Sequence, residues 1–177
     1  MQSAIDSHFL NEFARCAFDA LKKEDSYLAE CRTKNRTAFK ERKLGGILQL
    51  MSERYYQFLI ARSLFAEFPY YVCTEHSSCS GLMDFAFFED NTMEKIIGYG
   101  EMKNWMSSSG NTELAGIKND IHRLRKTGSN GILLLCTAQP PCMREENKKY
   151  LQTRIKELAG LERSEHYFST EGVNQDP

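Results

Sequence analysis

The sequence predicts a mixed helix-and-strand fold of the α+β type, and two observations lead to that prediction. Some segments repeat apolar residues every three or four positions, as amphipathic helices do, whereas others form short alternating or continuous apolar runs, as strands do. After a first helix, the order of the segments is helix, three strands, helix, strand, helix. With 177 residues, the chain is long enough to form one domain with a substantial core.

The first predicted helix covers Ile5 to Leu21, with Asp6 or Ser7 near its start. The following residues, 22–43, hold eight Lys or Arg against four Asp or Glu. They are predicted to form a solvated helix or a mobile arm, with a nucleic-acid-binding arm as the alternative. Gly45-Gly46 marks a boundary. The expected organisation is therefore an N-terminal helical segment over 1–45, a core domain over 46–171 and a disordered tail over 172–177.

The second helix is predicted over 47–68, ending before Pro69, with Phe58 and Phe65 among its apolar positions. Three strands are predicted over 70–74, 82–88 and 95–105. A turn at 89–91 makes the last two strands a hairpin. Side-chain alternation puts Leu82, Asp84, Ala86 and Phe88 on one face of the middle strand, and Met83, Phe85 and Phe87 on the other.

A third helix is predicted over 112–126, with an apolar stripe on one side and a basic surface on another, formed by Lys118, His122, Arg125 and Lys126. The run 131–136 is typical of a strand covered on both faces. A charged helix over 145–159 and an edge strand over 166–169 complete the prediction.

The bulk composition excludes several classes of protein. The formal net charge of −1 gives no global signal for a polyanion partner, so a nucleic-acid surface has to be a local patch. The six cysteines form no C-x-x-C pair and are expected to be thiols in a reducing compartment. No apolar run reaches membrane-spanning length and no signal peptide is recognisable, so we expect no membrane partner and a cytoplasmic location.

Three ionisable residues on two neighbouring strands are the candidate site. Asp84 interrupts an apolar run, and Glu101 and Lys103, within the stretch GYGEMKNW, share a strand face with Tyr99 and Trp105. The hairpin brings Asp84 opposite or diagonal to Glu101 and Lys103. Burying such charges is costly unless each has a partner or a task. Two carboxylates with a backbone carbonyl and waters suit Mg²⁺, and a nearby lysine then suits phosphodiester hydrolysis.

Asp84 and Glu101-Met102-Lys103, between a helix carrying Glu53 and a helix with a basic surface, resemble the PD-(D/E)xK or restriction-endonuclease-like nuclease superfamily. The resemblance implies Asp84 and Glu101 as metal ligands, Met102 as donor of a carbonyl ligand, Lys103 as the catalytic lysine and Glu53 as an accessory acid. It implies Mg²⁺ or Mn²⁺ as cofactor. No proline precedes Asp84, which departs from the pattern in the superfamily's name.

The resemblance covers about 47–137 and implies an αβββαβ core, with a mixed central sheet flanked by helices. Gln57, Lys118 and His122 would line the cleft, and Arg125 and Lys126 would add phosphate contacts. The string E-x-K by itself has little weight, because it occurs three times, at Glu41, Glu101 and Glu146.

Two functions follow as expectations. The first is a metal-dependent nuclease acting on nucleic acid, expected to be DNA in restriction, repair or mobile-element biology, and able to act as a homodimer. The alternative is a non-catalytic nuclease-like module that binds nucleic acid or a protein partner. An enzyme with a catalytic thiol ranks far below both, because the sequence shows no recognisable pattern of a cysteine nucleophile with a histidine base.

Overall fold

The helices and strands follow one another along the chain in the order that the sequence predicts. The computed structural model describes residues 5–34, 51–105 and 111–137, and within them it has three helices and four strands. These elements are α1 Ser7–Lys34, α2 Glu53–Glu67, β1 Tyr71–Ser78, β2 Gly81–Phe88, β3 Ile96–Trp105, α3 Asn111–Lys126 and β4 Asn130–Thr137. The mixed fold class is thereby confirmed, and no described helix is both long and apolar enough to cross a bilayer.

The four strands form one sheet in the order β1-β2-β3-β4. The first three strands are antiparallel neighbours, whereas β4 pairs parallel to β3. A parallel neighbour needs a crossover connection, and α3 supplies it. The predicted β2–β3 hairpin is confirmed, and in its connection Asp90 Oδ1 accepts a hydrogen bond of 2.9 Å from the Thr92 amide.

Both N-terminal helices differ from prediction at one end. Asp6 Oδ1 accepts a hydrogen bond of 2.8 Å from the Phe9 amide at the start of α1, as expected of a cap. α1 does not end at Leu21 but continues to Lys34, so residues 22–34 are the helix that was one of the two predicted alternatives, although this part also buries Leu28. α2 begins only at Glu53, after the N-cap Ser52, and ends before Pro69 as predicted.

Two layers of helices cover the sheet. On one face, α1 and α2 pack against β2, with edge-to-face aromatic contacts such as Phe13 to Phe87, whose ring centres are 5.4 Å apart. On the other face, Leu114 and Ile117 of α3 pack against β4, and Leu124 packs with Phe88 and Tyr99. The side chains that face α3 from β3 are therefore enclosed by the crossover helix.

Three predictions about side chains and strand lengths are wrong. Met83 packs with Ala86 and Phe88 rather than with Phe85 and Phe87. At the same level of the sheet, Glu75 of β1, which the β1–β2 register places opposite Asp84, has a φ of 52° and is not a paired residue of the ladder. β1 continues to Ser78 rather than ending at 74, and Phe58 and Phe65 of α2 are exposed rather than buried.

Several predictions fall on residues outside the described ranges. They are the arm beyond residue 34, the Gly45-Gly46 boundary, the helix over 145–159, the strand over 166–169 and the tail over 172–177. Those remain predictions.

Candidate active site

The three residues singled out on β2 and β3 meet where the sheet faces the start of α2 and the middle of α3. The β2–β3 register pairs Phe85 with Gly100 and therefore brings Asp84 level with Glu101, one residue further along. Lys103 follows Glu101 by two residues on the same face of β3. The predicted convergence of two carboxylates and one ammonium group is thus present in the structure.

Asp84 is half-buried and held by two hydrogen bonds. Its Oδ1 accepts one of 3.1 Å from Gln57 Nε2 on α2, and its Oδ2 accepts one of 2.7 Å from the backbone amide of Met102. Burial raises the pKa of this carboxyl group, and the Met102 hydrogen bond opposes the rise. The peptide preceding Met102 therefore lies against the carboxylate, and Gln57 lines the site.

Glu101 is only 5% exposed and is the most perturbed acid of the group. Burial first, and then the negative charge of Asp84, raise its pKa to about 8, against the opposing charge of Arg123. Arg123 Nη1 lies 3.1 Å from Glu101 Oε1, yet within the described residues this oxygen receives no well-directed hydrogen bond. One buried oxygen of Glu101 is thus left with a charge nearby but without a donor aimed at it.

Lys103 lies between two acids from different helices. Its Nζ is 3.5 Å from Glu53 Oε1 on α2 and 3.3 Å from Asp120 Oδ2 on α3. Partial burial lowers the pKa of Lys103, but the charges of Asp120 and Glu53 outweigh it, so that the net shift is upward. The side chain is an ammonium group at neutral pH.

Glu53 connects α2 to the end of β3. Its Oε2 accepts a hydrogen bond of 2.9 Å from the backbone amide of Asn104, while Oε1 faces Lys103. As the first residue of α2, Glu53 also lies at the positive end of the helix dipole, which stabilises its negative charge. The residue therefore contacts Lys103 directly, and its negative charge also contributes to the raised pKa of Asp84.

Two residues of the site were missed by the sequence analysis, and both are on α3. Asp120 is 5% exposed, and Arg123 reaches from α3 to Glu101 and to the backbone carbonyl oxygens of Ser80 and Leu82. Asp120 follows Ile117 by three residues and precedes Leu124 by four, which places an acid on the apolar side of the helix. The sequence signal that could have identified Asp120 is a single acid on the apolar side of a helix. Asp84 was identified by the same kind of signal, a single acid within an apolar strand.

The basic residues predicted on α3 lie elsewhere. Lys118, His122, Arg125 and Lys126 are exposed on the outer surface of this helix, whereas Asp120 and Arg123 face the sheet. Of the predicted cleft residues, Gln57 contacts Asp84 directly. The part of the four exposed residues in binding a nucleic acid stays a prediction.

Among the acids of this site, one pair of carboxylates is placed to bind a divalent cation. Within residues 5–34, 51–105 and 111–137, no three His, Cys, Asp or Glu side chains are grouped closely enough to form a metal site by themselves. Glu53 and Asp120 are engaged with Lys103, which leaves Asp84 and Glu101 as the pair. Two carboxylates, one of them with an orphaned buried oxygen, suit Mg²⁺, which takes one or two carboxylates and keeps several waters.

Comparisons of this chain with protein-family models, with curated proteins and with solved structures found no match. The site is therefore interpreted from its own geometry.

Proposed function

We propose that this protein is a divalent-metal-dependent nuclease that hydrolyses phosphodiester bonds, with DNA as its substrate, on a restriction-endonuclease-like αβββαβ core. The observation that carries the proposal is the position of Asp84 level with Glu101 on adjacent strands, with Lys103 two residues further on the same face. Burial raises the pKa of both carboxyl groups, and the charge of Asp84 raises the pKa of Glu101 further. Such a pair is unfavourable for folding alone, which favours a functional role for the two acids.

The charge balance of the cluster supports a divalent ion. Its six ionisable side chains are four acids and two cations, namely Asp84, Glu101, Glu53, Asp120, Lys103 and Arg123. When all are ionised, the two excess negative charges equal the charge of one Mg²⁺ or Mn²⁺. The raised pKa of Glu101 is consistent with this charge excess, because burial and the charge of Asp84 both favour the protonated form of this acid.

The chain's own residues then have separable roles. Asp84 and Glu101, with the carbonyl group of Met102, would hold the ion. When bound, the ion would polarise a phosphate oxygen and lower the pKa of a coordinated water. Lys103 is protonated, so it would act as a hydrogen-bond donor that orients the attacking water or stabilises the developing phosphorane charge, not as a base. Glu53 and Asp120 keep the ammonium group in place.

Cleavage assays on purified protein test this function. Circular duplex, linear duplex and single-stranded DNA are incubated with Mg²⁺, Mn²⁺ or EDTA, for the wild type, Asp84→Asn and Lys103→Ala. The matched controls are Asp19→Asn and Lys23→Ala, which change the same residue types on the exposed side of α1. We expect metal-dependent cleavage that both site variants lose and both controls keep. Cleavage that survives in both site variants would show that the site is wrong.

A non-catalytic nuclease-like module is the second candidate, and one contact favours it. Arg123 already supplies a cation 3.1 Å from Glu101, as a protein that had dispensed with a metal would need. Under this alternative no substrate is cut with any metal, and Mn²⁺ does not raise the melting temperature of the wild type more than that of Asp84→Asn. Equal thermal shifts for the two proteins would favour the binding module.

A further inference from the structure

The outer side of α2 presents two phenylalanine rings to solvent. Phe58 is 62% exposed and Phe65 is 61% exposed, although both are apolar positions of the predicted helix. Tyr56, Leu59, Ile60 and Leu64 on the opposite side of the same helix already supply its buried face. The two exposed rings are therefore not needed to pack α2 against the other described residues.

Two exposed arginines alternate with these rings. Arg54, Phe58, Arg62 and Phe65 follow one another at spacings of four, four and three residues, so they lie along one side of the helix. We call these four residues the outer ridge of α2. With a rise of about 1.5 Å per residue, the two rings are about 10 Å apart along the helix axis.

The outer ridge begins beside the candidate active site. Glu53 and Gln57, which contact Lys103 and Asp84, are each followed directly in sequence by a ridge residue, Arg54 and Phe58. Arg54 also forms an ion pair of 2.5 Å with Glu75, on the strand next to Asp84. A polymer lying on the outer ridge would thus pass close to Asp84.

We propose that the outer ridge of α2 binds single-stranded DNA, with Phe58 and Phe65 stacking on unpaired bases and Arg54 and Arg62 contacting phosphates. The proposal rests on the proposed nuclease function and names its substrate class as single-stranded. Aromatic side chains interleaved with cations are the usual platform for a single strand, whose base faces are accessible. In a duplex the bases are already stacked on one another, so the exposed rings would find no faces to cover.

Charge complementarity favours this partner over a second copy of the chain. A twofold self-interface brings the same patch of both copies together and would place the arginines of two ridges in one contact region. A polyanion places phosphates there instead. The exposed rings could contact either single-stranded DNA or a second copy of the chain, so the experiment has to distinguish DNA binding from self-association.

Binding of short labelled oligo-dT, oligo-U and hairpin duplex DNA is measured by fluorescence anisotropy in EDTA, where no metal-dependent cleavage occurs. The variants are Phe58→Ala, Phe65→Ala, Phe58→Leu and Arg62→Gln. The matched control is Tyr27→Ala, which removes a ring that is 58% exposed on α1. Thermal melting shows which variants are folded, and light scattering gives the oligomeric state of each.

We expect oligo-dT to bind more tightly than the hairpin duplex, and each Phe→Ala change to weaken oligo-dT binding roughly five-fold or more. Phe58→Leu keeps an apolar side chain without a ring and should be as weak as Phe58→Ala. Arg62→Gln should lower the slope of log K against log salt by about 0.7. Tyr27→Ala should bind like the wild type.

Several results would overturn the assignment. They are absence of oligo-dT binding, oligo-dT binding that every ridge variant retains, full binding by Phe58→Leu, preference for oligo-U or the duplex, and a dimer that the Phe→Ala changes dissociate. The nuclease proposal is tested separately by cleavage with Mg²⁺. If the wild type cuts DNA but the ridge variants bind oligo-dT normally, the ridge proposal is rejected and the nuclease proposal stands. If binding depends on the rings but no DNA is cut, the nuclease proposal is rejected and the ridge still binds single-stranded DNA.

Discussion

The Nζ atom of Lys103 lies 3.3 Å from Oδ2 of Asp120, so a buried acid on α3 holds the lysine that we assign to catalysis. This oxygen receives no directed hydrogen bond from the described residues, which makes the contact chiefly electrostatic. Glu53 holds the same ammonium group from α2, 3.5 Å away. Lys103 is therefore fixed by two helices on opposite sides of the sheet.

Replacing Asp120 with asparagine tests this arrangement. Asp120→Asn keeps the shape of the side chain but removes the charge that faces Lys103 and Arg123. We expect metal-dependent cleavage to fall roughly ten- to a hundred-fold, because small displacements of a positioned group are costly. Glu113→Gln, which neutralises an acid in the first turn of the same helix, is the control and should cleave normally. Equal rates for Asp120→Asn and the wild type would show that Asp120 does not position Lys103.

Removing Arg123 should affect stability in a metal-dependent way. Arg123 contributes a cation to Glu101 and hydrogen bonds to the carbonyl oxygens of Ser80 and Leu82. Arg123→Ala should therefore lose about 1–3 kcal/mol of unfolding free energy in EDTA. Saturating Mn²⁺ should recover part of this loss, because the ion binds only the folded protein and supplies the missing positive charge.

Urea denaturation in EDTA and in Mn²⁺ measures both effects. The control is Arg125→Ala, which removes an exposed arginine two residues away on the same helix. A loss in Arg123→Ala that is the same with and without Mn²⁺ would show that the arginine and the ion do not share a site.

The pH dependence of stability should reveal Glu101. Its pKa is raised from 4.5 to about 8 in the folded protein. Between those values the folded chain holds a proton that the unfolded chain has lost, so the contribution of Glu101 to stability falls as pH rises through that window and is constant above about 8. Glu101→Gln, which cannot ionise, should flatten this decline.

Melting temperatures at acid, neutral and mildly alkaline pH in EDTA test this prediction. We expect Glu101→Gln to match the wild type near pH 5 and to exceed it near pH 8, the upper end of the window. Glu94→Gln, at an exposed position in the β2–β3 connection, should follow the wild type throughout. A difference between Glu101→Gln and the wild type that does not change with pH would contradict the raised pKa.

The backbone of the site was predictable because it depends on local patterns. Side-chain period two and a polar turn are sufficient to place Asp84 near Glu101, and the observed register agrees with that placement. The same logic failed at Met83, which packs with Ala86 and Phe88, close to the level at which Glu75 on β1 has a positive φ and leaves a gap in the β1–β2 ladder. The period-two pattern of side chains predicts a regular strand, but it does not predict the positions at which the strand departs from regular geometry.

The contributions of the helices were less predictable for a physical reason. A helix has several sides, and which one faces the sheet depends on long-range packing. The basic side of α3 was expected at the site, yet packing of Ile117 and Leu124 turns Asp120 and Arg123 inward. In α2 the expected apolar stripe included Phe58 and Phe65, whereas the observed buried side is centred on Ile60 and Leu64.

Gln57 offers a test of how Asp84 is oriented. Its Nε2 donates a hydrogen bond of 3.1 Å to Asp84 Oδ1, while the Met102 amide holds Oδ2. Gln57→Ala removes one of the two constraints, so we expect roughly ten-fold slower cleavage and a change in stability of about 1 kcal/mol or less, since Asp84 is only half-buried. Gln57→Glu instead adds an acid beside Asp84 and Glu101 and should tighten Mn²⁺ binding while destabilising the protein in EDTA. Calorimetric titration with Mn²⁺ and urea denaturation distinguish the two variants. Identical Mn²⁺ affinity in Gln57→Glu and the wild type would place the ion away from Asp84.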